Sequence, residues 1–111
     1  MKRDDPKARS LRQERRSADR WGGRVTRASG ATWRDKSDVS TPLFLIECKT
    51  TIKRQFTLKL GDLINAERHA LLDGKTMVFQ IEMGGRTWTV MADEDLHALL
   101  HPDADAQDSD G

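Results

Sequence analysis

The sequence has little of what a disulfide-linked or membrane-embedded protein needs. It contains one cysteine, so no disulfide can form within the chain. Its apolar stretches are shorter than the roughly 18 residues of a membrane span, and its first residues lack the apolar core of a signal peptide. It also lacks internal repeats. We therefore expect one small, soluble domain in a reducing cytoplasm, with no membrane partner.

Charge is distributed unevenly along the chain, although the net charge is only +1. Residues 1–36 carry twelve Lys/Arg and five Asp/Glu, a net charge of +7, whereas residues 37–111 carry seven and thirteen, a net charge of −6. A basic front end favours a polyanionic partner, most simply nucleic acid. The ordinary alternative is a solvated arm. We expect a disordered basic arm over residues 1–9 and a disordered acidic tail over residues 102–111.

Helix and strand patterns alternate between these two ends. Ser10 and Gln13 have the spacing of a capping box, and Gly22-Gly23 ends the helix that follows. The inward face of that helix is predicted to carry Leu11, Glu14, Ala18 and Trp21. Further predicted elements are strands at 24–28, 37–40 and 43–50, a helix at 60–71, a hairpin of strands at 76–83 and 86–91, and a last helix capped by Asp93. This order predicts an α/β domain over residues 10–101, with a mixed central sheet flanked by helices.

The most informative residues are Glu47-Cys48-Lys49, which close the apolar run at 43–46. Glu47 and Lys49 are two apart and point to the same face of a strand. If the strands at 37–40 and 43–50 form a tight hairpin, Asp38 lies near or opposite Glu47. Cys48 alternates away from its neighbours and is predicted to pack in the core.

Two carboxylates and a lysine at the end of a buried strand suit chemistry at a phosphodiester. Mg²⁺ prefers carboxylate, carbonyl and water oxygens, which Asp38, Glu47 and the backbone carbonyl of Cys48 can supply. Lys49 can hold the attacking water and offset charge in the transition state. Glu14 can reach the metal directly or through water. Taken singly, these residues are more often a surface ion pair, a turn residue and a solvated helix acid; their joint occurrence favours a nuclease site.

These residues resemble a known family, the PD-(D/E)xK nucleases, and within it the small phage and archaeal Holliday junction resolvases. The similarity runs from about Glu14 to Gly74. It comprises Glu14 with Ala18, Trp21-Gly22-Gly23-Arg24, Ser29-Gly30-Ala31, Lys36-Ser37-Asp38-Val39, Ile46-Glu47-Cys48-Lys49-Thr50-Thr51 and Leu58-Lys59-Leu60. Ser37 departs from the pattern, because the family commonly has Gly or Pro before the acid.

The resemblance implies a restriction-endonuclease-like core and a Mg²⁺-dependent homodimer, with Mn²⁺ able to substitute. Each of its two active sites would nick one strand of a four-way DNA junction symmetrically. It implies Asp38 and Glu47 as metal ligands, Lys49 as the catalytic lysine and Glu14 as an additional acid. Ser29 is similar to the family's serine that contacts the backbone near the scissile phosphate. A phage origin, with action in the host cytoplasm, fits the small size.

Basic and loop residues around the motif are candidates for DNA contact. They are Arg15, Arg16, Arg24, Arg27, Gly30, Trp33, Arg34, Lys36, Lys53, Arg54 and Lys59. The basic side chains can track phosphates, and Trp33 can stack on a base or cover the core. Two other functions stay open: a less selective repair or restriction-like nuclease of the same superfamily, and a DNA-binding module that does no chemistry.

Overall fold

Three helices and a five-stranded sheet make up the computed structural model, which describes residues 5–27 and 37–102. The elements in chain order are α1 (Pro6–Trp21), β1 (Arg24–Arg27), β2 (Ser37–Ser40), β3 (Phe44–Thr50), α2 (Leu60–Leu72), β4 (Thr76–Met83), β5 (Arg86–Val90) and α3 (Asp93–Leu100). This confirms the α/β class and each predicted element, with small shifts at the ends of strands.

The start of α1 corrects the capping prediction. Asp5 is the N-cap, its side chain accepts a hydrogen bond from the backbone N–H of Lys7 at 3.1 Å, and Pro6 occupies the first helical position. The prediction of a capping box at Ser10 is therefore wrong, and residues 6–9 belong to the helix rather than to an arm. An acidic cap followed by proline is a strong start signal, because proline has no N–H to leave unpaired. The predicted stop is confirmed, since Gly22 adopts the left-handed conformation at φ 72°.

The strands lie in the order β1-β2-β3-β4-β5. All neighbours are antiparallel except β3 and β4, which pair in parallel because α2 carries the chain back across the sheet. Gly84 and Gly85 form the β4–β5 turn with φ of 65° and 77°, as the two-residue hairpin signal predicted. The sheet is thus mixed, with β3 at its centre.

Side chains alternate between two cores, one on each face of the sheet. Ala18 of α1 packs against Val39, Ile46 and Val78 on one face. On the other face, the core consists of Ala66 and Ala70 of α2 with Met77, Phe79 and Ile81 of β4. Because successive strand residues point to opposite faces, α1 and α2 cover opposite sides of β3 and β4.

Gly23 makes this packing possible where α1 leads into β1. A Cβ at this position would overlap the backbone oxygen of Ser40. Only glycine allows the α1–β1 connection to approach the end of β2 so closely.

The last helix differs in detail from its prediction. Ala92, not Asp93, occupies the N-cap position, and Asp93 is the first helical residue. Asp93, Glu94 and Asp95 all lie in the first turn, where the helix dipole favours negative charge. Across residues 5–27 and 37–102, no helix is long and apolar enough to cross a membrane.

Candidate active site

A tight turn fixes how β2 and β3 pair. The hydroxyl of Thr41 accepts hydrogen bonds from the backbone N–H groups of Leu43 (3.2 Å) and Phe44 (2.8 Å), and the N–H of Thr41 donates to the carbonyl of Phe44 (2.9 Å). Since loop geometry sets the register of a hairpin, this turn determines which residues face each other. Asp38 pairs directly with Glu47, as the sequence predicted.

Glu47 and Lys49 lie together on β3, two residues apart. Oε2 of Glu47 is 3.4 Å from Nζ of Lys49. Glu47 is buried, with 6% of its surface exposed, and pairs in register with Phe79 in the apolar core. The side chain of Lys49 is 32% exposed. Glu47 is thus a buried carboxylate, whereas the Lys49 side chain beside it reaches solvent. The pair therefore lies at the boundary of the core and is open to solvent on one side.

Glu14 is inward-facing, as predicted, and is only 3% exposed. It belongs to α1, however, which packs on the face of the sheet that carries Ile46 and Cys48. Strand alternation directs Asp38 and Glu47 to the opposite face. The fold therefore brings Asp38, Glu47 and Lys49 together and positions Glu14 across β3 from them, beside Cys48.

The pKa of the Cys48 thiol is raised by the acids that lie near it. Its burial, followed by the negative charges of Glu14, Asp38 and Glu47, raises the pKa of Cys48 to about 12, against a lowering contribution from a hydrogen bond with Ser17. A like charge nearby disfavours the thiolate, as does removal from water. All three predicted acids are thus electrostatically close to one atom, and the thiol stays protonated and unreactive. The side chain packs against the α1-side core, as predicted.

The candidate DNA-binding residues fall into three groups. Arg15, Arg16, Arg24, Lys53, Arg54 and Lys59 are exposed. Arg27 lies in β1, at the position paired with Ser37. Gly30, Trp33, Arg34 and Lys36 lie outside the described residues, as does Ser29, the serine predicted for the catalytic site. Of the exposed set, Lys53, Arg54 and Lys59 follow β3 and share its end of the sheet with Lys49, whereas Arg16 pairs with Glu82 of β4.

The donor set can be compared with what Mg²⁺ requires. Within residues 5–27 and 37–102, no three His, Cys, Asp or Glu side chains are grouped closely enough to hold a metal ion by themselves. Mg²⁺ seldom uses such a cage; it binds through one or two carboxylates and keeps waters and substrate phosphate oxygens as its other ligands. Two carboxylates aligned across neighbouring strands fit that pattern.

Polar residues buried under α1 were missed by the sequence analysis. The Ser17 hydroxyl donates to Oε1 of Gln80 at 2.5 Å, and Gln13 is buried one turn earlier on the same helix. Their only signal was the polar i, i+4 pair Gln13 and Ser17 beside the predicted apolar stripe. Its burial depends on β4, which is more than sixty residues away in the chain.

The chain matches no known family model and no curated protein. What the site can do therefore has to follow from the side chains that the fold brings together.

Proposed function

We propose that this protein is a Mg²⁺-dependent, structure-selective DNA endonuclease that resolves four-way junctions by paired symmetric nicks, on a restriction-endonuclease-like core. The observation that carries the proposal is the direct pairing of Asp38 with Glu47, with Lys49 at 3.4 Å from the Glu47 carboxylate. The choice of a four-way junction as substrate follows the family resemblance.

The electrostatics of the pair support a cation-dependent role. Two carboxylates facing each other on neighbouring strands repel, which costs stability. They also repel the phosphates of DNA. A divalent cation between protein and substrate removes both penalties, whereas a protein that only binds DNA gains nothing from these acids.

Each side chain then has a defined task. Asp38 and Glu47 would hold Mg²⁺ together with the backbone carbonyl of Cys48, and the bound ion would supply positive charge to the phosphate that is attacked. Lys49, held beside Glu47 and half-open to solvent, holds the attacking water and donates hydrogen bonds towards the developing negative charge. Glu14 supplies further negative charge from the other side of β3.

Basic residues beside the site support a backbone-tracking mode of binding. Lys53, Arg54 and Lys59 are exposed in the segment that follows β3. Contacts from such side chains to phosphates give affinity that falls with salt and depends little on sequence. Selectivity for a branched substrate then has to come from shape.

The surface of α2 supports a homodimer as the active assembly. A groove of about 330 Å³ there is lined by Ile64, Leu71 and Leu72, with Glu67 and Arg68 beside them. Leu71 and Leu72 are 69% and 79% exposed. An antiparallel pairing of two α2 helices about a two-fold axis would cover the apolar residues and pair Glu67 of each copy with Arg68 of the other.

The test compares a synthetic four-way junction with a linear duplex of equal length, each incubated with protein and Mg²⁺. We expect paired symmetric nicks in the junction only. Asp38→Asn and Glu47→Gln should abolish cleavage and leave junction binding intact, while Asp19→Asn, a change of an exposed α1 acid, serves as the matched control.

Each other outcome points to a different function. Equal cleavage of both substrates would indicate a less selective nuclease of the same superfamily. Binding without cleavage in Mg²⁺ and in Mn²⁺, with Asp38→Asn binding as the parent does, would indicate a non-catalytic DNA-binding module. Near-full activity in either acid variant would show that the site is assigned wrongly.

A further inference from the structure

A second cavity lies on the opposite face of the sheet from Asp38 and Glu47. It has a volume of about 320 Å³ and is bounded by α1 on one side and by β4 and β5 on the other. The residues that matter for its chemistry are Gln13, Arg16, Arg20, Trp21, Gln80 and Thr89. This volume is in the range of small-molecule sites.

The cavity exists because α1 covers only part of its face of the sheet. The helix lies mainly over β1, β2 and β3 and reaches β4 through the Ser17–Gln80 hydrogen bond, and the cavity opens between it and β5. Thr89 pairs in register with Gln80, so both side chains point to the α1 face and form the floor. Polar side chains thus occupy a position where apolar packing would ordinarily continue.

The buried side-chain amide of Gln13 is the strongest indication that the cavity binds a ligand. It is 2% exposed, and neither Oε1 nor Nε2 of its amide has a hydrogen-bond partner. A buried amide without partners is destabilising, because it has lost its hydrogen bonds to water and has gained none in the protein. Gln13 lines the cavity, so a rotation of its side chain would present one donor and one acceptor to a molecule bound there.

The mouth of the cavity is cationic and its geometry is restrained. Arg16 and Arg20 are one helical turn apart and exposed. Glu82 pairs with Arg16 and accepts a hydrogen bond from the Thr50 hydroxyl at 3.2 Å, which fixes the guanidinium relative to the sheet. A guanidinium has five N–H donors, so this contact leaves others for an anion.

An aromatic ring completes the site. Trp21 lines the cavity, and Phe44 holds it in an edge-to-face contact with centroids 5.6 Å apart. A fixed indole offers a stacking surface for a planar ligand. A nucleotide combines these features, because its base is planar and carries donors and acceptors and its phosphate is an anion.

We propose that this cavity binds one nucleotide, with the base against Gln13 and Trp21 and the phosphate at Arg16 and Arg20. The same chemistry is present in a free mononucleotide and in an unpaired nucleotide of a DNA strand. The proposal does not rest on nuclease activity, because neither Asp38 nor Glu47 belongs to the cavity.

The experiment is calorimetric titration of the full chain in EDTA, so that binding is measured without any metal-dependent step. The probes are the four deoxynucleoside monophosphates, inorganic phosphate, and a short single-stranded oligonucleotide. At least one nucleotide should bind, and phosphate alone should bind about tenfold more weakly. Gln13→Leu, Arg20→Gln and Thr89→Val should each weaken nucleotide binding, Gln13→Leu by about tenfold, because it removes both the donor and the acceptor for the base.

Matched controls make the same chemical changes at exposed positions outside the cavity. Gln55→Leu, Arg86→Gln and Thr57→Val should bind as the parent does. If Gln13→Leu does not fold, as judged by circular dichroism, the exposed Arg20 and Thr89 variants decide the test, and both must weaken binding.

The results of the titrations distinguish a free nucleotide from a DNA strand as the ligand. Tighter binding of the mononucleotide identifies a free nucleotide as the ligand, and tighter binding of the oligonucleotide with the same sensitivity to the variants identifies a strand. Absence of nucleotide binding, phosphate binding as tight as nucleotide binding, or parental affinity in the cavity variants would each overturn the proposal. Loss of junction cleavage with intact nucleotide binding would contradict only the nuclease function.

Discussion

Replacing Cys48 with alanine should change how the stability of the protein depends on alkaline pH. Burial, and then the charges of Glu14, Asp38 and Glu47, raise the pKa of this thiol from 9.0 to about 12. The unfolded chain loses the Cys48 proton near pH 9, whereas the folded protein keeps it. The folded-state pKa is the higher one, so the contribution to stability is complete below the unfolded pKa and is lost as pH rises towards the folded pKa.

The magnitude follows from the two pKa values. At about pH 10.5 the unfolded thiol is 1.5 units above its pKa of 9.0, while the folded thiol is still protonated. At 1.36 kcal/mol per unit, the parent should lose about 2 kcal/mol between neutral pH and about pH 10.5 that Cys48→Ala does not lose. Contributions from all other groups are common to both proteins and cancel in the difference.

The assay is urea unfolding of both proteins at several pH values, with free energies from linear extrapolation. Asp38→Asn removes one of the charges that raise the pKa, so the thiol of the folded protein should lose its proton at a lower pH than in the parent, which a pH titration of thiolate absorbance measures. Asp19→Asn, a change of an exposed acid on α1, should leave that titration unchanged.

Two results would refute this reasoning. Parallel pH profiles for the parent and Cys48→Ala would mean that the thiol has an ordinary pKa in the folded protein. A thiol that titrates at the same pH in folded Asp38→Asn as in the parent would mean that Asp38 does not act on the thiol, and would therefore contradict the convergence of the acids around β3.

Two further predictions concern packing and assembly. Gly23→Ala should destabilise the protein by about 1–3 kcal/mol in urea unfolding, because the new Cβ meets the Ser40 backbone oxygen. Gly61→Ala, with open space around it in α2, should stabilise the protein by about 0.5–1 kcal/mol. Equal effects of the two changes would contradict the close approach of Gly23 to Ser40. The proposed dimer predicts that Leu72→Glu lowers the molar mass seen in sedimentation equilibrium to that of one chain, while Leu43→Glu, at a residue also exposed but outside α2, does not; a monomeric parent would remove the dimer from the proposal.

Much of the fold is encoded in short-range patterns. The 3.6-residue periodicity of α2, the Gly84-Gly85 turn and the alternation along β3 each depend on neighbours in sequence, so their elements could be predicted. The pairing of Asp38 with Glu47 is also local, because a tight turn leaves few registers for two adjacent strands. The spacing of Ser10 and Gln13 predicts the start of α1 too late in the chain, because Asp5-Pro6 lies upstream and caps the helix instead.

The sequence by itself therefore determined that Asp38 and Glu47 are aligned across two neighbouring strands, with Lys49 beside Glu47 on β3. Only the tertiary structure decided which face of the sheet each helix covers, and hence that Glu14 lies across β3 from Glu47. It also decided that Gln13 is buried beside Gln80 and that Arg16 meets Glu82, 66 residues away. These contacts depend on the parallel pairing of β3 with β4, which closes a long loop through α2, and no local pattern specifies such a pairing.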